Sequence, residues 1–230
     1  FVKMGTIPRY VKITRFGELL NACGLPLPMA SLAEKVAKFL CKILPLNNRK
    51  HAKGVEVGAA RDFGEDFRSF WDSISSHYPC IVKRDNVFLR WRYLNQPLWP
   101  YTILTARRHG NIKGFAVVRE GMIKRGKLKG KKIGVISDIL IDPKEAACTR
   151  ELLRCVTEFF KDRKAMFIKC DILNNHVRRA LKACNFVRIM SRNSFMLNVY
   201  DKKLSGSSLK VISARNNWFI SSGDSDLDFD

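Results

Sequence analysis

The sequence predicts a mixed α/β fold, and three stretches carry that reading. Tyr101 to Arg107 and Gly114 to Arg119 are two β-rich runs separated by a turn at His109, Gly110 and Asn111, which makes a hairpin. Ile133 to Ile141 (IGVISDILI) is a nearly continuous apolar, β-branched run of the kind that lies at a sheet centre. Lys144 to Asp162 then repeats apolar residues at helical spacing, and Ala165 to Ile172 (AMFIKCDI) follows as a strand. Strand, helix and strand form one crossover, right-handed if the two strands are parallel neighbours.

Around these stretches the remaining elements fall in order. Tyr10 to Thr14 (YVKIT), after Pro8, reads as a strand with no partner strand close by in the sequence, and it is expected to be the orphaned end of something upstream. Met29 to Leu44 sets Met29, Leu32, Val36, Phe39, Leu40 and Ile43 on one face and Lys35, Lys38 and Lys42 on the other. This is an amphipathic helix ended by Pro45, suited either to docking on a core or to touching a membrane surface. Leu46 to Gly54 (LNNRKHAKG) is a polar, basic linker. Val55 to Ala59 is a short strand, Glu65 to Ile74 a helix burying Phe67, Phe70, Trp71 and Ile74, and Asn86 to Asn95 a second helix stopped before Pro97. The loop from Met122 to Lys132 holds six basic residues and no acid. It reads as a solvated hairpin tip or as a patch that steers phosphate. After the crossover come a helix at Asn174 to Ala183, strands at Phe186 to Met190 and Ser194 to Val199, and a short last strand at Trp218 to Ile220. No internal repeat is evident.

Composition bounds the possibilities. With 230 residues and 46% hydrophobic content the chain is able to bury a sizeable core, which excludes a disordered protein. Its apolar stretches fall short of the roughly 20 residues that cross a bilayer; Val36 to Leu46, for instance, is broken by Lys38 and Lys42. No secretory leader opens the chain, which begins at Phe1 and reads as a piece of a longer or processed one. Seven scattered cysteines (Cys23, Cys41, Cys80, Cys148, Cys155, Cys170, Cys184) include no C-x-x-C pair, the usage of reduced thiols in a soluble, cytoplasmic protein. The histidines His51, His77, His109 and His176 lack ligand spacing, so no metal is expected. The formal net charge of +21 points to an acidic partner, with coenzyme A, nucleic acid and anionic lipid all eligible.

Four landmarks sharpen this: F-L-R-W-R-Y (Phe88 to Tyr93) with Pro97 and Tyr101 after it, the G-F-A-V-V-R strand, S-D-I-L-I-D-P (Ser137 to Pro143), and the tail W-F-I-S-S-G-D-S-D (Trp218 to Asp226). From Gly54 onward the chain resembles the GNAT (N-acetyltransferase) superfamily, in the divergent form found as the second half of tandem proteins of bacterial polysaccharide loci. The resemblance implies a mostly antiparallel central sheet flanked by helices. It also implies three parts: residues 1–16 as the end of a preceding GNAT-like half, 17–53 as a connecting helix and linker, and 54–230 as the acyltransferase domain. In this superfamily a splayed central strand receives the pantetheine arm of acetyl-CoA, and the amides opening the next helix hold its pyrophosphate.

Carried onto this chain, the resemblance sets Ile139, Leu140 and Ile141 along the arm and the turn from Ala146 to Glu151, with Cys148, Thr149 and Arg150, at the pyrophosphate. The family loop, Arg/Gln-x-x-Gly-x-Gly/Ala, is replaced here by K-E-A-A-C-T-R-E-L-L, which has no glycine and has Glu145 and Glu151 at its flanks. In the second family motif Asn174 and Phe186 match, Asn185 replaces a glycine, and Leu181 stands where a tyrosine often protonates the leaving thiolate. Asparagine tolerates the left-handed backbone, so that turn survives while the general acid does not. Asp138 is the candidate general base, with His176 and Asp171 behind it; its other reading is a structural carboxylate. Arg90, Trp91, Arg92 and Tyr93 are the candidate substrate contacts, or a clamp of the helix against the sheet. Asp224, Asp226, Asp228 and Asp230 read as a cation-binding tail, though without the glycine and distal glutamate of a calcium loop, or as acids that answer the basic surface.

Three functions follow from this reading. The first is acyl transfer from acetyl-CoA to an amine of a sugar or similar small acceptor. The second is a catalytically silent GNAT-like half that binds substrate or supports an upstream half. The third is a basic nucleic-acid-binding module.

Overall fold

The computed structural model describes residues 2–22, 24, 52–191, 193–199 and 206–225. The expected helix Met29 to Leu44, most of the linker Leu46 to Gly54, and Asp226, Asp228 and Asp230 of the tail lie outside them. In chain order the elements are β1 (Val2–Thr6), β2 (Arg9–Ile13), α1 (Phe16–Ala22), β3 (Val55–Ala60), α2 (Glu65–Ile74), β4 (Cys80–Ile81) and α3 (Asn86–Leu89). There follow β5 (Thr102–Arg108), β6 (Asn111–Met122), β7 (Lys132–Ile141), α4 (Ala146–Asp162), β8 (Phe167–Asp171) and α5 (Asn175–Ala183). The last are β9 (Val187–Ile189), β10 (Ser194–Leu197), α6 (Gly206–Ser213) and β11 (Trp218–Phe219).

Seven strands form one mixed sheet in the order β3-β5-β6-β7-β8-β2-β9. Its pairings are antiparallel except β7 with β8, which the α4 crossover makes parallel. The hairpin forms as expected: His109 and Gly110 both have positive φ, the geometry of a tight two-residue turn between β5 and β6. The two faces of the sheet are covered by different helices. Phe115 on β6 packs against Phe63 and against Phe67 and Phe70 of α2, while Gly114 beside it faces Leu152 of α4. Leu152, Leu153, Val156 and Phe160 form the buried stripe of α4. Phe160 lies so close to Gly134 that a Cβ there would stand 2.5 Å from the ring. On α5, Asn174 caps the helix by accepting the Val177 N–H at 3.1 Å, and Asn185 takes the left-handed backbone at φ 63°, as its substitution for glycine predicts.

Three expectations need correction. The strand near Tyr10 is not an orphan: β2 lies inside the sheet, paired with β8 from Arg9↔Asp171 to Ile13↔Phe167 and with β9 on its other side. Its partners are more than 150 residues away along the chain (162 separate Arg9 from Asp171), so nothing in the local sequence announces them. Residues 9–13 therefore lie in the same sheet as strands drawn from residues 55–189. The stretch before it forms β1, which pairs with β10 and was not expected. Finally, Asn86 to Asn95 is not one regular helix: after α3 the chain widens into a π-helical turn over Arg90–Leu94, closed by the Asn95 N–H on the Arg90 carbonyl at 2.9 Å. That turn points Tyr93 into the core and leaves Trp91 63% exposed. Among the described residues no helix is long and apolar enough to cross a membrane.

Candidate functional site

The site is built on a fork in the sheet. β7 pairs with β8 only through Gly134, Val135 and Ile136. One residue later a bulge at Ser137, opposite Val117 and Val118 of β6, bends β7 away. The chain itself fills the gap. Ser221 bridges Ile172 just past β8, and the Leu173 N–H donates to the Ile220 carbonyl at 2.8 Å. Gly223 sits where a Cβ would stand 3.2 Å from the Ser137 carbonyl oxygen and run into the Tyr93 hydroxyl. Residues 218–225 thus form a strap across the fork, and β11 at its start lies parallel to β4. Gly223→Ala is expected to lower stability by about 1–3 kcal/mol in urea denaturation, because the new methyl must displace Tyr93 or lift the strap.

Arg84 holds the strap down. Fully buried, it donates from Nε to Asp138 (3.0 Å to Oδ2), from Nη1 to the Val82 carbonyl (2.9 Å), and from Nη2 to Asp224 Oδ2 (2.6 Å) and Ser221 Oγ (3.3 Å). Its guanidinium also lies over the Phe219 ring. Burial works against its charge, but the Asp138 and Asp224 carboxylates outweigh that and hold it above its ordinary pKa. Asp138 is buried and tied on both oxygens: Oδ2 also accepts from the Tyr93 hydroxyl at 3.1 Å, and Oδ1 from the Ile139 N–H at 2.9 Å. Asp224 differs. Its Oδ2 accepts from Arg84 and from the Ser221 N–H at 2.8 Å, whereas its buried Oδ1 has no hydrogen-bond partner among the described residues. Burial pushes the Asp224 carboxyl above its ordinary pKa, with Arg84 pulling it back and Asp138 raising it further.

The R-W-R-Y residues go separate ways. Arg90 pairs with Asp62 at the surface, and Arg92 Nε donates to the Gly223 carbonyl at 2.9 Å. Tyr93 is core, and Trp91 stands outward beside Phe88, ring centroids 5.7 Å apart. Phe88, Trp91 and Arg92 line a cavity of about 540 Å³ with Val82, Gly223 and Asp224. Trp91, Arg92 and Tyr93 thus meet Asp138 and the strap around one region. Arg150 is half-buried on α4, His176 is exposed, and Asp171 is engaged bidentately by Arg9 at 2.8 Å. Neither Arg84 nor the role of Asp224 was legible in advance: a lone arginine in V-K-R-D-N carries no motif, and its two carboxylate partners are 54 and 140 residues away.

Whether acetyl-CoA fits is decided at two places. The first turn of α4 offers helix-opening amides, but the Glu145 carboxylate occupies that end, paired with Arg108 at 2.9 Å and accepting from Cys148 Sγ at 3.7 Å. Thr149 and Cys148 are buried there, and burial with Glu145 nearby pushes the Cys148 thiol up to about 11. Along β7 the side chains of Ile139, Leu140 and Ile141 are buried, the Ile141 carbonyl accepts the Tyr78 hydroxyl at 2.5 Å, and the strap takes the fork. In this arrangement the residues do not fit an acyl-coenzyme A in the fork.

Fold and site together define a mixed α/β protein with a forked sheet and a cavity walled by aromatic rings, glycine and a carboxylate. No protein-family model and no curated protein matches the sequence. Among solved structures the chain is similar to an aminoglycoside acetyltransferase from an uncultured soil metagenomic sample in complex with trehalose. The TM-score is 0.44 at 12% identity, over 67% of this chain and 100% of that one. The sisomicin complex of that acetyltransferase gives 0.41 at 13%, over 65% and 97%. A ribosomal-protein-alanine N-acetyltransferase from Brucella melitensis biovar Abortus 2308 gives 0.34 at 18%, over 49% and 75%. At these values nothing about ligand or reaction passes from those proteins to this one.

Proposed function

We propose that this chain is an N-acyltransferase of GNAT type that acts on an amine of a small acceptor, with the acceptor side formed and the coenzyme admitted only when residues 218–225 leave the fork. The observation that supports it is the bulged, forked β7, with a cavity of acceptor size lined by Gly223, which lies against the Ser137 carbonyl at the bulge. In this reading Trp91 and Phe88 hold the acceptor, and Arg92 keeps Gly223 and the strap in place as the cavity floor. Ile139, Leu140, Ile141, Cys148, Thr149 and Arg150 mark the side toward which a coenzyme would lie. Asp138, saturated by Arg84, Tyr93 and the Ile139 amide, orients Arg84.

A second reading is a catalytically silent unit that binds its ligand without a coenzyme. The filled fork and Glu145 at the helix start favour it. Calorimetric titration of acetyl-coenzyme A into the chain and into its Arg150→Ala variant separates the two. Saturable binding, weakened roughly tenfold by the substitution, supports acyl transfer. Absence of binding leaves the silent unit.

A further inference from the structure

The cavity beside Trp91 has a neighbour that shares part of its wall. A second cavity of about 580 Å³ is lined by Phe195, Met196, Trp218 and Ile7, among others, and it shares Val82, Asp224 and Ser225 with the first. The two therefore adjoin at these residues. Each has the volume of a small-molecule site and a predominantly apolar wall. Large rings stand at both ends: Phe88 with the exposed Trp91 at one, Phe195 with Trp218 at the other, the latter pair 5.1 Å between centroids. At the shared wall between them is Asp224, whose Oδ1 is buried without a hydrogen-bond partner among the described residues. Such an atom costs free energy until a donor reaches it, so it marks where a ligand donor would belong.

These features select a ligand. Two ring platforms separated by a carboxylate suit a molecule with flat apolar faces at both ends and hydroxyl or ammonium donors between. A phosphate against Asp224 is disfavoured, because the two like charges would repel at hydrogen-bond distance. A single small amine would fill one cavity and leave the other empty. Sugar rings meet every condition, since their C–H faces pack on aromatic rings while their edges carry the donors.

We propose that the groove binds a saccharide chain of at least two rings, one ring on Trp91 and the next toward Trp218, with a hydroxyl or amino group donating to Asp224 Oδ1. This deepens the acceptor-site reading above and rests on it for the site's purpose, though not for the binding itself. The groove escapes sequence inspection because its walls come from residues 7, 82, 88, 91–92, 95–96, 193–196, 218–220 and 223–225.

The test is titration of glucosamine and its β-1,4-linked dimer and trimer into the whole chain, followed by tryptophan fluorescence and calorimetry. The dimer is expected to bind about tenfold or more tighter than the monomer. Trp91→Ala and Asp224→Asn are each expected to weaken the dimer roughly fivefold or more while leaving the monomer less affected. Trp91 is exposed, so its variant keeps the native melting curve and remains informative if Asp224→Asn fails to fold. Equal affinity for monomer and dimer, dimer binding unchanged in Trp91→Ala, or no binding of any of the three sugars overturns the proposal. Sugar binding without coenzyme binding keeps it and removes acyl transfer. Coenzyme binding without sugar binding does the reverse.

Discussion

Arg84→Met is expected to destabilise the protein by about 3–5 kcal/mol in urea denaturation at neutral pH, since it removes the cation from a buried cluster and leaves two carboxylates unpaired. Both partners are nearly inaccessible, with side chains 1% exposed for Asp138 and 7% for Asp224, so water cannot replace the guanidinium. The loss is one of pairing and not of packing, and a combined variant decides this: Arg84→Met with Asp138→Asn and Asp224→Asn is expected to recover much of the stability. The pH dependence has a definite sign. The Asp224 carboxyl already lies above its ordinary pKa, and losing Arg84 raises it further. A carboxyl raised in the folded state stabilises most below its unfolded pKa, and that contribution is lost as pH rises through the folded value. The deficit of Arg84→Met is therefore smallest in acid and largest at neutral pH. A deficit that is flat with pH, or a combined variant no better than the single one, would show that Arg84 acts as packing.

Phe115→Ala is expected to cost about 3–5 kcal/mol, read by the same denaturation curve. The ring is fully buried on the central strand β6 and meets Phe63, Phe67 and Phe70 edge-on at centroid distances of 6.3, 5.4 and 6.2 Å. Three ring contacts join α2 and the loop before it to the sheet through one side chain, so truncation opens a cavity that the rigid strand cannot collapse. Phe115→Leu keeps much of the volume and is expected to retain more than half of the lost stability. Because Phe67 and Phe70 also set the angle at which α2 leads toward β4 and Arg84, the alanine variant is further expected to loosen the strap. Faster hydrogen exchange at the Ser221 and Leu173 amides would register this.

Much of the architecture was legible because its signals are local. The β-branched run Ile133 to Ile141, the turn at His109 and Gly110, and the three-and-four spacing of α4 each depend on neighbours within a few residues. Asn185 was legible for the same reason: a left-handed turn after a helix needs a residue that tolerates it. At the site, local pattern named Asp138 and the R-W-R-Y turn but not their partners. Tyr93 and Trp91 are separated by two positions, and which of them faces inward depended on a π-helical turn whose extra residue shifts the phase of the helix.

By itself, then, the sequence determined the order and type of the central elements, the hairpin and the crossover, all of them consequences of backbone preference and hydrophobic period. The tertiary structure alone decided that β2 enters the sheet between β8 and β9, that the strap closes the fork, and that Arg84 gathers Asp138 and Asp224 beneath a groove with rings at both ends. The reason is physical: these contacts join segments far apart in the chain, and their free energy comes from burial and charge pairing that exist only once the segments have met.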